Sequence, residues 1–392
     1  MNRVPDVLSL ARSLVRIPSP TGGEGALAAR VAEVMEHAGF DQVHTDDWGN
    51  VIGLRRGRLP GPTLLFDGHM DVVDPGPEPW AHDPYGGNVS DGRLWGRGAA
   101  DTKGALAAML CASAELPAAD LAGTLIVAAT VCEENLTGAA LGHVLDAWPA
   151  DLVITGEPTG LRLGVAQKGR ATLRLHAMGR SAHTSQPELG DNAIYKMIEA
   201  IQRLRAMPLG HDSELGAGLL ELIEIVSEPL PNQTLVPAGC HARFVARTVP
   251  GETVETFLAR IAAAIGDLPG VRLALDRLHQ LCYTGVPLEA IDFLPGWRRP
   301  ADDPWRQALL AALAAVALPA DTFAAPCGTN ASESAGRRGI PSFIYGPGTL
   351  AQAHIADEWI AIADLYAAQK GYGAMVRKVL SPDRSACQQL AD

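Results

Sequence analysis

Three short apolar runs in this chain show no polar–apolar alternation: TLLFDGH (63–69), GTLIVAATVCEE (123–134) and ADLVITGE (150–157). A strand with one wet face alternates, whereas a strand covered on both faces reads as a continuous Val, Ile and Leu run. Between the first two lies KGALAAMLCASAEL (103–116), whose alanine and leucine content favours a helix. Buried strands separated by helices predict an α/β unit with a mixed, largely parallel sheet. The layout returns near residue 300: WRQALLAALAAVAL (305–318) reads as a helix, IPSFIYG (340–346) as a strand and 357–380 as a closing helix.

The middle of the chain has a different rhythm. RATLRLHAMG (170–179) alternates as a half-buried strand does and is followed by a helical pattern over 191–207. Strand candidates follow at 218–228 and 240–248, then a helix at 252–268 and a strand at 271–278. The order β-α-β-β-α-β is that of a ferredoxin-like unit. The reading is therefore an insertion, 169–286, inside a unit made of 1–168 and 287–392. Two or three domains also suit 392 residues.

Composition excludes several classes. With 47% hydrophobic residues, a sizeable core is available and a disordered chain is excluded. Thirty-two basic against 44 acidic residues give a net charge of −12, and no basic block is present, which argues against nucleic acid. The six cysteines (Cys111, Cys132, Cys240, Cys282, Cys327, Cys387) are scattered without a C-x-x-C pair and read as reduced, mostly buried thiols. At the N-terminus Arg3, Arg12 and Arg16 interrupt the apolar residues, so an amphipathic helix is expected rather than a signal peptide. No run approaches the length of a membrane span. The expectation is a soluble cytoplasmic protein with a loose polar tail over 381–392.

Acids and histidines collect where such a sheet would hold a site. FDGHMD places His69 just past a strand end, with Asp71 two residues on; GRGAADTKG places Asp101 at a helix start. CEEN places Glu133 and Glu134, and GEPTG places Glu157, at the ends of the next strands; AHIADE adds His354. Taken singly, each has an ordinary explanation: a helix cap, a solvated loop, a turn, a surface histidine. Together they converge at the carboxyl ends of strands, where open α/β sheets bind ligands. Buried carboxylates are costly unless paired or ligated. Imidazole plus carboxylate without a suitable cysteine suits zinc, cobalt or manganese.

In this order, H-x-D, the Asp of G-x-x-D-x-K-G, a Glu-Glu pair, G-E-P-T and a distal A-H-x-x-D-E, the chain resembles the di-zinc hydrolases that include acetylornithine deacetylase, succinyl-diaminopimelate desuccinylase, aminoacylase and glutamate carboxypeptidase. Local matches (WAHDPYGG, GDNAIYKM, the TN of CGTNAS) look closest to a branch of selenium-metabolism-linked hydrolases. The resemblance covers essentially the whole chain and implies a catalytic domain with the insertion as lid and dimerisation domain. It implies two divalent metal ions, zinc first and cobalt or manganese as alternatives. Asp101 would bridge them, His69 and Glu157 would complete one metal, and Glu134 and His354 the other. Asp71 would hydrogen-bond the far ring nitrogen of His69. Glu133 would be the general base toward a metal-bridging water. Within the family, Glu at position 157 goes with deacylases and carboxypeptidases.

The resemblance extends to the lid. His183 resembles a histidine that reaches across the dimer to stabilise the oxyanion, and Arg247 an arginine that binds the substrate carboxylate. Gly346 and Gly348 would belong to a substrate-side backbone loop, and Asn330 stands where an Asp is frequent. Thr234 replaces a common Asn, with Asn232 two residues earlier, and Val245 replaces a common Asp; these departures surround the substrate rather than the metals.

The implied activity is metal-dependent hydrolysis of an N-acyl amino acid by a homodimer. A metallo-carboxypeptidase or dipeptidase acting on a short peptide is the same-class alternative. A catalytically dead, metal-bound small-molecule receptor would have no need of Glu133, and a thiol enzyme would need partners that Cys132 and Cys327 lack in sequence.

Overall fold

The structure, a computed structural model, describes residues 6–382 except 232 and 233. Arg3, Asn232, Cys387 and the tail from 383 onward lie outside the described residues.

The larger sheet has at its centre the strands Ala122–Thr130, Leu59–His69 and Leu152–Thr155, side by side and parallel. Ser342–Ile344 continues it in parallel beyond Leu152–Thr155, while Val51–Arg56 and Gln42–Thr45 extend the other side antiparallel. The expected mixed sheet is therefore present, parallel through its centre but with antiparallel strands beyond, so it is partly rather than largely parallel. Leu64 and Phe66 pack into one core with the helices Val7–Val15, Gly25–His37, Gly104–Ala114 and Ile362–Val379. Leu65, between them in sequence, packs on the opposite face with Ile126, Val153 and Val144 of the helix Ala139–Ala147. This double cover is why these strands do not alternate. The helix Gly104–Ala114 is buried on every side, which explains its nearly uniform apolar sequence.

The second sheet has the antiparallel order Leu219–Glu228, Gly239–Arg247, Arg170–Met178, Val271–Leu275, the strand arrangement of a ferredoxin-like unit. The helices Ala193–Ala206 and Val254–Ile265 cover one face through Met197, Leu204, Phe257 and Ile261. Ala171, Leu173, Leu175 and Ala177 point into that core, and the residues between them face away.

Two elements differ from expectation. The strand expected to reach 134 ends at Thr130, and Glu133–Leu136 is a short helix, because Cys132 turns the chain with φ 58°. The closing helix begins at Ile362 rather than 357; Trp359–Ala361 is instead a strand paired with Arg93–Trp95. The helix expected over 103–116 runs Gly104–Ala114, so Asp101 stands before it and is not its cap. Among the described residues, no helix is long and apolar enough to cross a membrane.

Candidate metal centre

Because the three central strands are parallel neighbours, their carboxyl ends lie along one edge. His69 ends one strand, Glu133 and Glu134 follow Thr130, and Glu157 follows Thr155. His354 arrives from the loop before Trp359–Ala361, with a left-handed backbone (φ 60°). Two non-glycine residues in that conformation, His354 and Cys132, stand at or beside the centre, where surrounding contacts hold such strain in place.

Asp101 joins the two histidines. Its Oδ1 lies 3.0 Å from His69 Nε2 and its Oδ2 3.1 Å from His354 Nε2. Glu134 Oε1 is 3.2 Å from the same His354 nitrogen. Two groups of ligand-capable atoms result, His69–Asp101–Glu157 and Asp101–Glu134–His354, each within 4.8 Å of one another. Asp101 belongs to both and Glu133 to neither.

The donor chemistry fits a pair of divalent cations. Asp101, Glu133 and Glu157 are buried together with a single buried imidazole, and His354 faces them from the rim. Burial, then the charges of Glu134, Asp71 and Asp101, pushes the Glu133 carboxyl up to about 8 against the opposing pull of His69. Burial, reinforced by Asp101 and Glu133, raises that of Glu157 well above its ordinary value. For His69, burial alone would lower the pKa, but the Asp101 hydrogen bond and the surrounding carboxylates outweigh it and raise it. Hydrogen bonds to Asp101 and Glu134 push His354 up to about 10. Protons thus occupy positions that cations would neutralise.

A buried frame holds these side chains. His69 Nδ1 lies 2.9 Å from the backbone oxygen of Asp71, which can only accept, so Nδ1 carries the hydrogen and Nε2 is left for a metal. This corrects one expectation. The Asp71 carboxylate is 3.6 Å from that nitrogen, too far for a hydrogen bond, because its oxygens accept from the backbone N–H groups of Glu133 (2.9 Å) and Glu134 (3.0 Å) and from Thr21 Oγ1 (2.9 Å). Asp71 therefore reaches His69 through its main chain and the Glu133–Glu134 pair through its side chain. The preceding turn is held by Glu24 Oε1 and Asn50 Oδ1, which accept from the backbone N–H groups of Cys132 (3.1 Å) and Val131 (3.0 Å).

The centre opens into a cavity of about 400 Å³ whose lining includes Asp101, Glu133, Glu134, Glu157 and His354 together with Arg170 and Arg247. Arg247, at the end of Gly239–Arg247, is thus brought to the wall of this cavity by tertiary structure; burial lowers its pKa. Burial, then Glu157, pushes the thiol of Cys327, another wall residue, up to about 12, so it stays protonated at neutral pH.

Other expected residues lie elsewhere. Asn330 is buried: its Oδ1 accepts from the backbone N–H of Gly138 at 2.6 Å, and its Nδ2 faces Asp67 Oδ1 (3.4 Å) and Thr130 Oγ1 (3.3 Å). It braces strand ends instead of lining the cavity, because both halves of its amide are engaged. Gly346 and Gly348 pack on the segment after Glu157: Gly346 O accepts from Leu161 N–H at 3.0 Å, and Gly348 O from Gly160 N–H at 2.5 Å. A Cβ at Gly346 would come within 2.6 Å of the Glu157 backbone oxygen, so this glycine permits a close crossing. His183 is exposed, with Nδ1 2.7 Å from Ser185 Oγ, and is not among the cavity walls.

Sequence reasoning passed over Arg170 and Glu358. Glu358 is fully buried; Oε2 accepts from Arg97 Nη1 at 2.6 Å, and Oε1 from the backbone N–H groups of Ala100 (2.8 Å) and Asp101 (3.1 Å). It is the last letter of AHIADE, so its position was visible although its role was not.

The model of peptidase family M20/M25/M40 matches residues 65–378. The Escherichia coli K12 protein YgeY is 33% identical over 387 residues, 93% of each chain. Succinyl-diaminopimelate desuccinylase of Rhodospirillum centenum is 34% identical over 296 residues, 69% of this chain and 75% of its own. Among solved structures, YXEP of Bacillus subtilis, described as a dinuclear metal-binding peptidase of the M20 family, matches 95% of this chain and 97% of its own at 14% identity with a TM-score of 0.71.

Proposed function

Since this chain belongs to peptidase family M20/M25/M40 and is a metal-dependent hydrolase, we propose that it cleaves the amide bond of an N-acyl amino acid whose α-carboxylate is held by Arg247. The observation that carries this reading is that Arg247 lines the same cavity as Glu133 and as Asp101, Glu134, Glu157 and His354 of the two ligand triplets. In a site otherwise rich in carboxylates, a planar cationic fork is the group suited to a substrate carboxylate. The similarity to a desuccinylase supports the acyl substrate.

The proposed ligands are His69, Asp101 and Glu157 for one cation and Asp101, Glu134 and His354 for the other, with zinc as the first choice. Two divalent cations so held polarise a carbonyl and lower the pKa of water. Glu133, outside both triplets, takes a proton from the attacking water and passes it to the leaving amine. Asp71 positions Glu133 and Glu134 through their N–H groups. Arg170 supplies a second cation at the cavity wall, held at 3.1 Å by Asp292 Oδ1.

The proposed division is a catalytic unit of 1–168 and 287–392 with a lid of 169–286, working as a cytoplasmic homodimer to which His183 contributes across the interface. A carboxypeptidase or dipeptidase reading draws on the same carboxylate-binding arginine and on the peptidase with this fold. Screening the zinc-loaded enzyme with N-acetyl, N-succinyl and N-formyl amino acids beside dipeptides tests the choice. Turnover of acyl amino acids above dipeptides is expected; hydrolysis of dipeptides alone would overturn the deacylase reading.

A further inference from the structure

A second cluster of metal-type side chains lies on the open face of the ferredoxin-like sheet. His176 of Arg170–Met178 and His241 of Gly239–Arg247 are paired in register, so both side chains leave the same face. That face is opposite the helices, because the neighbours Leu175, Ala177, Cys240 and Ala242 are the core residues. The two rings stack with centroids 4.1 Å apart and planes 7° from parallel. Glu228, ending the next strand, brings Oε1 to 2.9 Å from His241 Nε2. The ligand-capable atoms of all three residues lie within 4.8 Å of one another.

The backbone makes room for the carboxylate. Glu228 faces Gly239 in register, and a Cβ there would lie 2.7 Å from Glu228 Oε2 and 3.1 Å from Glu228 Cβ. The absence of a side chain at 239 lets Glu228 lie across the neighbouring strand toward His241. On the other flank Arg272 is the register partner of His176 and adds positive charge, so two imidazoles alone would be a poor cation site and the carboxylate is needed. Burial, and then His241, lowers the pKa of His176 and favours the neutral imidazole that a metal requires.

We propose that His176, His241 and Glu228 form a further metal site for a borderline transition ion of the Zn²⁺, Ni²⁺ or Cu²⁺ class, separate from the dinuclear centre. Two imidazole nitrogens and one carboxylate oxygen are the donors such ions prefer, and the exposed side leaves the remaining positions to water. The site shares its strand with Arg247, six residues from His241, or roughly 20 Å at the rise of an extended strand. No single metal ion can serve both places.

The test is metal stoichiometry. The purified full-length chain is dialysed against Zn²⁺ and counted by elemental analysis, beside the H176A/H241A double variant and E228Q. Three ions per wild-type chain and two per double-variant chain are expected, with turnover of the metal-loaded enzyme unchanged. The exposed substitution E228Q guards against misfolding of the double variant; it is expected to weaken the third ion by about tenfold or more while sparing the first two, a loss of the size seen when a metal site loses a supporting group. With one equivalent of Cu²⁺ added to enzyme holding two zinc ions per chain, electron paramagnetic resonance should show two coupled nitrogens that disappear in the double variant. A wild-type chain that saturates at two ions, or a third ion retained by the double variant, overturns the proposal.

Discussion

Glu358 grips Asp101 by its main chain: Oε1 accepts the Asp101 N–H at 3.1 Å while the Asp101 carboxylate reaches toward His69 and His354. The residue proposed to bridge two metals is therefore oriented by a second, fully buried carboxylate, itself neutralised by Arg97. E358Q preserves shape but removes the charge that the Asp101 and Ala100 N–H groups and Arg97 share. It should weaken metal binding about 10–100-fold, read by titration with a competing chelator. Arg97→Met leaves a buried charge alone and should cost about 3–5 kcal/mol in denaturant unfolding. Wild-type metal affinity in E358Q would remove Glu358 from this role.

Glu133 and Glu134 are adjacent, yet only Glu134 belongs to a ligand triplet. E133Q should keep near-normal metal content while turnover falls about 10²–10⁴-fold. E134Q should lose metal, and Asp101→Ala should lose both ions. Equal metal loss in the two Gln variants would show that the roles are misassigned.

Proton binding sets a pH dependence for the metal-free protein. Folded Glu133 holds its proton up to about 8, against 4.5 for the ordinary group, so its contribution is fully present below the lower value and lost as pH rises through the upper. His354, raised from 6.5 to about 10, acts in the same direction at higher pH. The unfolding temperature of the metal-free chain should therefore fall between about pH 5 and about pH 9. Metals must displace these protons, so the gap between loaded and metal-free protein should widen over the same range. A metal-free unfolding temperature that rises with pH across this window would refute the assignment.

Arg247 and Asn330, both expected at the substrate, should separate in kinetics. Arg247→Lys, or blocking the substrate's α-carboxylate as an amide, should lower kcat/KM about 10–150-fold, the range for a charge-assisted hydrogen bond of about 1.5–3 kcal/mol. Asn330→Ala should leave KM unchanged and cost about 1–3 kcal/mol of stability, because the Gly138 N–H loses its acceptor. Equal rates on acid and amide would exclude Arg247 from substrate binding.

His183 is exposed and outside the cavity walls of its own chain. If it acts across a two-fold dimer, mixing inactive His183→Ala and Glu133→Ala chains should restore up to about a quarter of wild-type sites, since half of randomly exchanged dimers are hybrids with one good site. No recovery, with subunit exchange confirmed by native mass spectrometry, would end the composite-site reading.

The apolar runs at 63–69, 123–134 and 150–157 were enough to place His69, Glu133, Glu134 and Glu157 along one edge, because parallel strands share the direction of their ends. The alternation at 170–179 and the βαββαβ order were likewise local patterns with one good packing solution. What the Asp71 carboxylate binds was not local: it depends on where the turn at Cys132 delivers two N–H groups, which lie 62 and 63 residues away. The same holds for Glu358, whose partner N–H on Asp101 lies 257 residues distant, and for Asn330, drawn inward by groups on three other segments. Side-chain type and strand direction determined which residues could gather at the centre. Only the packed chain decided which hydrogen-bonding groups each one meets, since buried polar groups take whatever partners tertiary contacts provide.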